Sequence, residues 1–425
     1  MKLLIKNGHV VDPANKIDKV CDILVKGAVI STVADNISEK TDKVIDAKGK
    51  IVLPGIVDMH VHLREPGRED QETIASGTTA ALKGGVTSVV AMPNTGVPID
   101  SVEMIKLLSS IIKKDAKVNV CIAGAITEGR LGRKLAEIAK FSKEDVVAIT
   151  DDGSSVDSED LFSEALQEAK KAKLLIIDHC EDISLSKKGV VNHGLVSTVM
   201  GVKGISGESE YKRIERDIQL AQKTKGTLHI AHVSCKESVE IIAKAKKKGV
   251  NVTAETAPHY FALHDELVIG YNTNLKINPP LRTRADMTAI LQGLKDGTID
   301  CIASDHAPHT RAEKDRVFDI APFGTIGLET MLSVAITELI EKKILSWPQL
   351  VEKLCLNPAG ALQIKKGTLA KGADADIVIV DPKKKWKVSA DSFASLSRNS
   401  AFIGHTLVGV VEYTICSGKV SSFSQ

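Results

Sequence analysis

Short apolar runs alternate with helix-like segments through the middle of the chain, from about residue 51 to residue 358. The runs are rich in β-branched residues, and the segments between them, such as SVEMIKLLSSIIKKDA and ESEYKRIERDIQLAQKTK, have helical periodicity. This alternation is typical of parallel β/α units. Eight runs occur: IVLPGIVDMH, VTSVVAMP, VNVCIAGAIT, VVAITDD, LLIIDHCED, TLHIAHVS, VNVTAET and IDCIASDHA. Eight units predict a closed (β/α)8 TIM-type barrel; an open doubly wound sheet is less favoured, because no GxGxxG follows the first run.

The two ends of the chain have a different pattern. Residues 1–52 and 366–425 consist of apolar stretches broken by Gly and Asp turns, without helical periodicity. Neither end is long enough to build a good core alone. We therefore expect one small β-domain assembled from both ends, beside a barrel formed by residues 53–365.

Composition excludes several classes of function. Hydrophobic residues make up 43% of the 425 residues, but aromatic residues only 3%, so a large aliphatic core is expected without platforms for stacking bases. The formal net charge of +2 gives no attraction to nucleic acid or to an anionic membrane. The seven cysteines form no CxxC pair, and no run approaches the roughly 18 apolar residues of a membrane span. We expect a cytoplasmic protein that binds neither nucleic acid nor membrane.

Polar residues at the ends of the apolar runs form the candidate site, because a (β/α)8 barrel carries its active site at the carboxyl ends of its strands. These residues are His60, His62, Asp151, Asp152, His179, His232 and Asp305. Side chains two residues apart on a strand share a face, so His60 and His62 can hold one ion. Histidines and carboxylates suit zinc, and an open coordination position lets zinc ionise water near neutral pH.

Not every polar residue in these runs belongs to the site. Alternation lets only one of Asp151 and Asp152 face inward. Five other histidines lack the strand-end placement and are expected to be structural: His9, His193, His229, His264 and His405.

Eight strings resemble, in order and separation, the bacterial dihydroorotases of the amidohydrolase superfamily in which a β-sandwich flanks the barrel. The strings are DMHVHLREPG, AMPNT, TDDG, HCED, AHVS, KINPP, ASDHAPHT and APFG. The resemblance covers nearly the whole chain. It implies a zinc-dependent enzyme of pyrimidine biosynthesis, which reversibly closes N-carbamoyl-L-aspartate to (S)-dihydroorotate with loss of water.

The resemblance also implies metal ligands. They are His60, His62, Asp152, His179, His232 and Asp305. Two zinc ions are favoured over one, with Asp305 also moving the proton. Many amidohydrolases carry a carboxylated lysine at the end of the fourth strand, whereas this run ends in aspartates, and family spacing favours Asp152 over Asp151 as the bridging ligand.

Substrate-binding residues follow from residue chemistry and from the resemblance. Arg64 has a planar fork suited to a carboxylate and the same parity as His60 and His62, so we expect it at the same mouth. The resemblance also implies that His62, Asn94 and His309 lie near the substrate carboxylate and the metal. It places Asn278, Phe323 and Gly324 near the substrate ring. The alternative to substrate binding for Asn94 and Asn278 is that each asparagine caps a turn.

Two other functions stay open at this point. One is a different cyclic-amide hydrolase, such as a hydantoinase or allantoinase, although those relatives typically carry the strand-four lysine. The other is a non-catalytic homologue that acts as a scaffold for aspartate transcarbamoylase, although every expected type of ligand is present. The sequence leaves open whether the chain forms a homodimer or binds aspartate transcarbamoylase.

Overall fold

The computed structural model describes residues 1–141, 146–186 and 188–423. Its strands, in chain order, begin with five near the amino terminus: β1 (Lys2–Asp12), β2 (Ile17–Lys26), β3 (Val29–Ala34), β4 (Lys43–Asp46) and β5 (Ile51–Pro54). The next are β6 (Ile56–Val61), β7 (Val86–Ala91), β8 (Asn119–Gly124), β9 (Val146–Ile149), β10 (Leu175–Asp178), β11 (Val191–Asn192), β12 (Gly204–Ile205), β13 (Leu228–Ile230), β14 (Val252–Thr256) and β15 (Cys301–Ile302). The last are β16 (Ile377–Lys387), β17 (Thr406–Cys416) and β18 (Lys419–Ser422).

Helices follow most strands of the middle region. They are α1 (Ile74–Lys83), α2 (Val102–Asp115), α3 (Ile138–Phe141), α4 (Glu159–Ala172), α5 (Ile183–Ser186), α6 (Leu195–Met200), α7 (Glu208–Thr224), α8 (Lys236–Lys247), α9 (Pro258–Ala262), α10 (Arg284–Asp296), α11 (Arg311–Lys314), α12 (Met331–Ala335), α13 (Trp347–Val351) and α14 (Asn357–Ala361). Local sequence explains their limits; the Ser101 side chain, for example, accepts a hydrogen bond from Met104 N and begins α2. Both helices anticipated from periodicity, α2 and α7, are present.

The barrel consists of eight parallel strands in the order β6, β7, β8, β9, β10, β13, β14 and β15. Val61 and His306 form a parallel bridge that closes the ring between its first and last strands. The β6 and β7 residues are all buried, as expected for parallel strands covered on both faces. Small and aliphatic side chains, including Val57, Met59 and Ala303, fill the interior below the strand ends. The predicted (β/α)8 barrel is confirmed, with each of the eight strands at its expected place.

Both chain ends build the second sheet. β16 pairs antiparallel with β5, so the carboxyl-terminal strands continue the sheet of the amino-terminal ones. Apolar side chains from both ends, such as Leu3, Ile23, Ile377 and Ile415, pack into a separate core. This arrangement matches the small β-sandwich predicted from both chain ends, whereas the residue boundaries of the two domains stay a prediction. Within the described residues, no helix combines the length and apolarity needed to cross a membrane.

Candidate active site

A cavity of about 370 Å³ opens at the carboxyl ends of the barrel strands. Its lining contains the predicted site residues His62, Arg64, Asn94, Asp152, His179, His232, Asn278, Asp305, His309, Phe323 and Gly324. The remaining predicted residue, His60, lies fully buried next to them, with its ring centre 5.3 Å from that of His62. The structure therefore brings together side chains that are spread over most of the barrel sequence.

Asp152 lies between two pairs of histidines. Its Oδ1 is 3.2 Å from His60 Nε2. The same oxygen is 3.7 Å from both His179 Nδ1 and His232 Nε2. Its Oδ2 is 3.6 Å from His62 Nε2. A carboxylate in contact with both pairs has the position that a ligand bridging two metal ions requires.

Asp151 points away from these histidines. Its Oδ1 accepts hydrogen bonds from the backbone N–H groups of Ile126 and Thr127, at 2.9 Å and 3.1 Å. The Thr127 hydroxyl donates to its other oxygen. The inward residue at the end of β9 is thus Asp152, and Asp151 fixes the loop that follows β8.

Asp305 approaches the first pair of histidines from the end of β15. Its Oδ1 lies 3.4 Å from His62 Nε2 and 3.8 Å from His60 Nε2. Burial alone would raise the pKa of Asp305, but the neighbouring histidines outweigh burial and lower that pKa to about 2. Asp305 (φ 47°) and His232 (φ 33°) both have left-handed backbone conformations. Such conformations cost about 1–3 kcal/mol each in a residue other than glycine, and they aim both side chains into the cavity.

The residues fit a metal site, as the positions of the histidine nitrogen atoms indicate. His60 Nδ1 is 2.8 Å from Glu255 Oε1, which accepts a hydrogen bond from it, while His60 Nε2 is buried and has no hydrogen-bond partner among the described residues. His179 Nδ1 and His232 Nε2 lie only 2.8 Å apart. Two sets of ligand atoms lie within 4.8 Å of one another, one from His60, His62 and Asp305 and the other from His60, Asp152 and His232. Histidine nitrogen atoms that lie this close to two buried carboxylates form a site that favours the binding of a cation.

Two carboxylates beside the histidines were not anticipated from the sequence. Glu255, on β14, contacts His60 and, through Oε2 at 3.3 Å, His229 Nε2. Glu181 Oε2 lies 3.1 Å from His179 Nε2 and accepts a hydrogen bond from Asn278 Nδ2 at 2.9 Å. Each fixes the tautomer of a neighbouring histidine. A charged residue within the apolar run VNVTAET was the available signal for Glu255.

Arg64 lines the cavity, but the alternation of side chains along a strand does not explain its position there. β6 ends at Val61, and Arg64 has a left-handed backbone with φ 62°. The expectation that it lies at the mouth agrees with the structure, but the parity argument behind it is wrong, because the strand has already ended. Arg64 Nε donates to the Pro308 carbonyl at 3.2 Å, and burial lowers the pKa of its guanidinium to about 10. The group therefore stays charged at neutral pH.

Asn94 and His309 have defined partners. Asn94 Oδ1 lies 2.7 Å from His62 Nδ1, and its Nδ2 donates to Asp152 Oδ2 at 3.2 Å. Asn94 therefore contacts the histidine and carboxylate cluster. His309 Nε2 donates to the Phe323 carbonyl at 2.7 Å, and its Nδ1 accepts from Gln71 at 3.2 Å. Burial and then the charge of Arg64 lower the pKa of His309 to about 3, so its ring is neutral.

Known proteins resemble this chain over its whole length. A family model described as Dihydro-orotase-like matches residues 49–238. The dihydroorotase of Elusimicrobium minutum (strain Pei191) is 51% identical over 420 residues, which cover 99% of this chain and 97% of that protein. The dihydroorotase of Geobacter metallireducens is 48% identical over 421 residues, 99% of each chain.

Solved structures of related proteins share the fold. The L-hydantoinase (dihydropyrimidinase) from Arthrobacter aurescens superimposes with a TM-score of 0.90 at 25% identity, over 100% of this chain and 97% of that one. A D-hydantoinase structure gives a TM-score of 0.86 at 26% identity, over 99% and 95% of the two chains. The full-length dihydroorotases share about half of their residues with this chain, and the solved structures share its fold. The chain therefore belongs to the dihydroorotase family of the amidohydrolase superfamily.

Proposed function

We propose that the protein is a zinc-dependent dihydroorotase, which interconverts N-carbamoyl-L-aspartate and (S)-dihydroorotate plus water in pyrimidine biosynthesis. The observation that carries this proposal is a cavity at which four histidines and two aspartates converge beside the half-buried Arg64. The names of the full-length relatives support the same activity.

Two zinc ions are the cofactors that this set of side chains favours. His60, His62 and Asp305 would hold one, His179 and His232 the other, and Asp152 would contact both. When bound, zinc supplies Lewis acidity, which polarises the ring carbonyl and lowers the pKa of water.

Asp305 would carry the proton. In the hydrolytic direction its carboxylate accepts a proton from the attacking water and then donates it to the leaving amide nitrogen. The side chain of Asp305 is ionised at neutral pH, so its oxygen atoms have lone pairs with which to accept the proton. Its position beside His62, inside the cavity, gives it access to both reacting atoms.

Arg64 would bind the carboxylate of the substrate. Its charged guanidinium lines the cavity, where a carboxylate can bond to two of its N–H groups. Asn94 and His309 line the same cavity and would complete the carboxylate site. Asn278, Phe323 and Gly324 also line the cavity and would contact the ring.

Two alternatives predict different behaviour. A hydantoinase-like enzyme is suggested by the structural neighbours, but β9 leads into Asp152, not into the lysine typical of such enzymes. A non-catalytic scaffold is disfavoured by the complete set of ligand types. Homodimer formation, binding to aspartate transcarbamoylase and a cytoplasmic location are further proposals, which gel filtration with and without the transcarbamoylase and cell fractionation would test.

The decisive experiment compares three substrates on one preparation. Purified protein is assayed with dihydroorotate, hydantoin and allantoin, and its zinc content is measured on the same sample. We expect turnover of dihydroorotate well above that of the other two, with one to two zinc ions per chain. Preference for an uncharged ring would favour the hydantoinase alternative, and a metal-free protein inactive on all three would favour the scaffold.

A further inference from the structure

Asn399 belongs to the carboxyl-terminal part of the chain, between a short helical turn (Ala390–Ser392) and β17. The sequence pattern places the string RNSAF, which contains it, in the flanking β-domain of residues 366–425. The side chain is nevertheless only 4% exposed, and it lies against the rim of the active-site cavity. Its three side-chain partners, Ala307, His309 and Gly324, all line that cavity.

Every polar atom of the Asn399 side chain is used at this rim. Oδ1 accepts a hydrogen bond from His309 N at 3.1 Å. Nδ2 donates to the carbonyl oxygens of Ala307 and Gly324, each at 3.1 Å. One amide group therefore joins two backbone segments that are not adjacent in sequence.

The main chain of Asn399 adds a second connection to the same rim. Its carbonyl oxygen accepts from Ile326 N at 3.0 Å and from the Thr325 hydroxyl at 3.1 Å. Residues 324–326 are thus held by Asn399 through both its side chain and its backbone. Such a fully bonded, buried connection restrains the two segments more than one exposed contact would.

The two joined segments approach each other very closely. Gly324 has φ 136°, and a Cβ atom placed on it would lie 2.9 Å from both Cβ and O of Ala307. Only glycine fits this conformation and this spacing. His309 Nε2 also donates to Phe323 O, so the width of the rim determines where the imidazole points.

We propose that Asn399 is a positioning residue for the substrate-carboxylate side of the active site. By fixing the distance between residues 307–309 and residue 324, it holds His309 and the Phe323–Gly324 backbone in the orientation that receives the substrate. The proposal rests on the proposed dihydroorotase function. It makes the chain-end segment a part of the catalytic site, although Asn399 itself contacts neither the reacting atoms nor the metal ligands.

The contacts of Asn399 explain why this position requires an asparagine. Aspartate has nearly the same shape but cannot donate, and its charge would face the carbonyl oxygens of Ala307 and Gly324. Alanine leaves one buried N–H and two buried carbonyl oxygens with fewer partners. Asn399→Asp should therefore disturb the rim at least as much as Asn399→Ala.

The test measures binding separately from turnover on the zinc-loaded enzyme. For Asn399→Ala and Asn399→Asp we expect the KM for dihydroorotate to rise about tenfold or more, with kcat within about threefold of wild type. The Kd of orotate, a planar analogue with the same ring carboxylate, should rise by a similar factor in calorimetry. Zinc content should stay at the wild-type level.

Ser400→Ala is the matched control. Ser400 is an equally buried neighbour, but among the described residues its hydroxyl accepts only from Phe402 N, within its own segment. Its KM and orotate Kd should match wild type. Should Asn399→Ala fail to fold, Asn399→Ser provides the same comparison with a smaller polar side chain.

Two results would overturn the inference. One is a fall in kcat with KM and orotate Kd unchanged, and the other is loss of zinc from the Asn399 variants. Failure of the proposed function is distinguishable, since wild-type protein would then neither turn over dihydroorotate nor bind orotate.

Discussion

At the scale of single residues, Asp151 and Asp152 are neighbours with opposite surroundings. Asp152 lies among four histidines, while Asp151 accepts hydrogen bonds from residues 126 and 127. Asp152→Ala should release metal and abolish activity. Asp151→Ala should retain metal but leave two buried N–H groups unpaired, lowering the free energy of unfolding by about 2–4 kcal/mol. Zinc analysis and urea unfolding of both variants check this; zinc loss from Asp151→Ala alone would reverse the assignment.

Arg64 provides a second test at this scale. Arg64→Met removes the charged fork but retains an apolar stem, so the binding of dihydroorotate should weaken by about 2–5 kcal/mol, the range for one half of a desolvated charge pair. Uncharged cyclic amides should be affected much less. Inhibition constants for orotate and for an uncharged ring compare the two directly. Equal losses would remove Arg64 from the carboxylate site.

We predict that Asp305 transfers the proton as well as binding metal. Asp305→Asn retains the size of the side chain and one oxygen, but it cannot accept the proton. We expect folded, zinc-containing protein that binds orotate, with turnover reduced about 100-fold or more. Single-turnover assays with metal analysis provide the measurement. A loss below tenfold at full zinc occupancy would assign the proton transfer to another group.

At the scale of elements, sequence periodicity predicts the strands because each barrel strand is buried and bounded by turns. The ends of those strands are predictable for the same reason, which is why the histidines of the site were found. Arg64 lies beyond β6, where alternation no longer applies. Glu255 and His60 are 195 residues apart, and their contact arises only when the barrel closes. No local pattern encodes such a contact, and the same holds for Asn399.

The loop formed by residues 315–324 is held by two buried lysines. Lys314, the last residue of α11, donates through Nζ to the carbonyls of Pro322 and Gly324, at 3.0 Å and 2.9 Å. Lys276 Nζ donates to Phe318 O at 2.7 Å and to Asp319 O at 3.1 Å. Both lysine side chains therefore attach the loop that carries Phe323 to the barrel.

Lys314→Met should loosen this loop without unfolding the barrel. It removes the donor and retains the apolar stem, so two buried carbonyls lose a hydrogen-bond partner. We expect amide hydrogen exchange within residues 315–324 to become about tenfold faster or more, with exchange in the barrel strands unchanged. Exposed Lys295, on α10, provides the control Lys295→Met. Unaltered exchange in the loop would show that Lys314 is not its main attachment.

At the scale of the whole molecule, the metal-binding side chains connect parts of the barrel that are distant in sequence. His60 lies on β6, and the other proposed ligands follow β6, β9, β10, β13 and β15. The buried carboxylates of Asp152 and Asp305 both approach His60 Nε2, at 3.2 Å and 3.8 Å. Metal bound only by the folded chain stabilises it by RT ln(1 + [metal]/Kd), about 4 kcal/mol at a thousandfold excess over Kd.

Removal of metal should therefore lower the Tm of the whole molecule, not only its activity. We expect a strong chelator to lower the Tm by several degrees and added zinc to restore it, because each kcal/mol corresponds to a few degrees in a domain of this class. Asp152→Ala is the matched control: it already lacks the ligand that contacts both histidine pairs, so its Tm should respond much less to the chelator. Calorimetry on both proteins, with and without chelator, measures the difference. If wild-type Tm did not change while zinc was fully removed, metal binding would contribute nothing to the free energy of unfolding. Protein contacts alone would then hold the histidines and aspartates of the site in place.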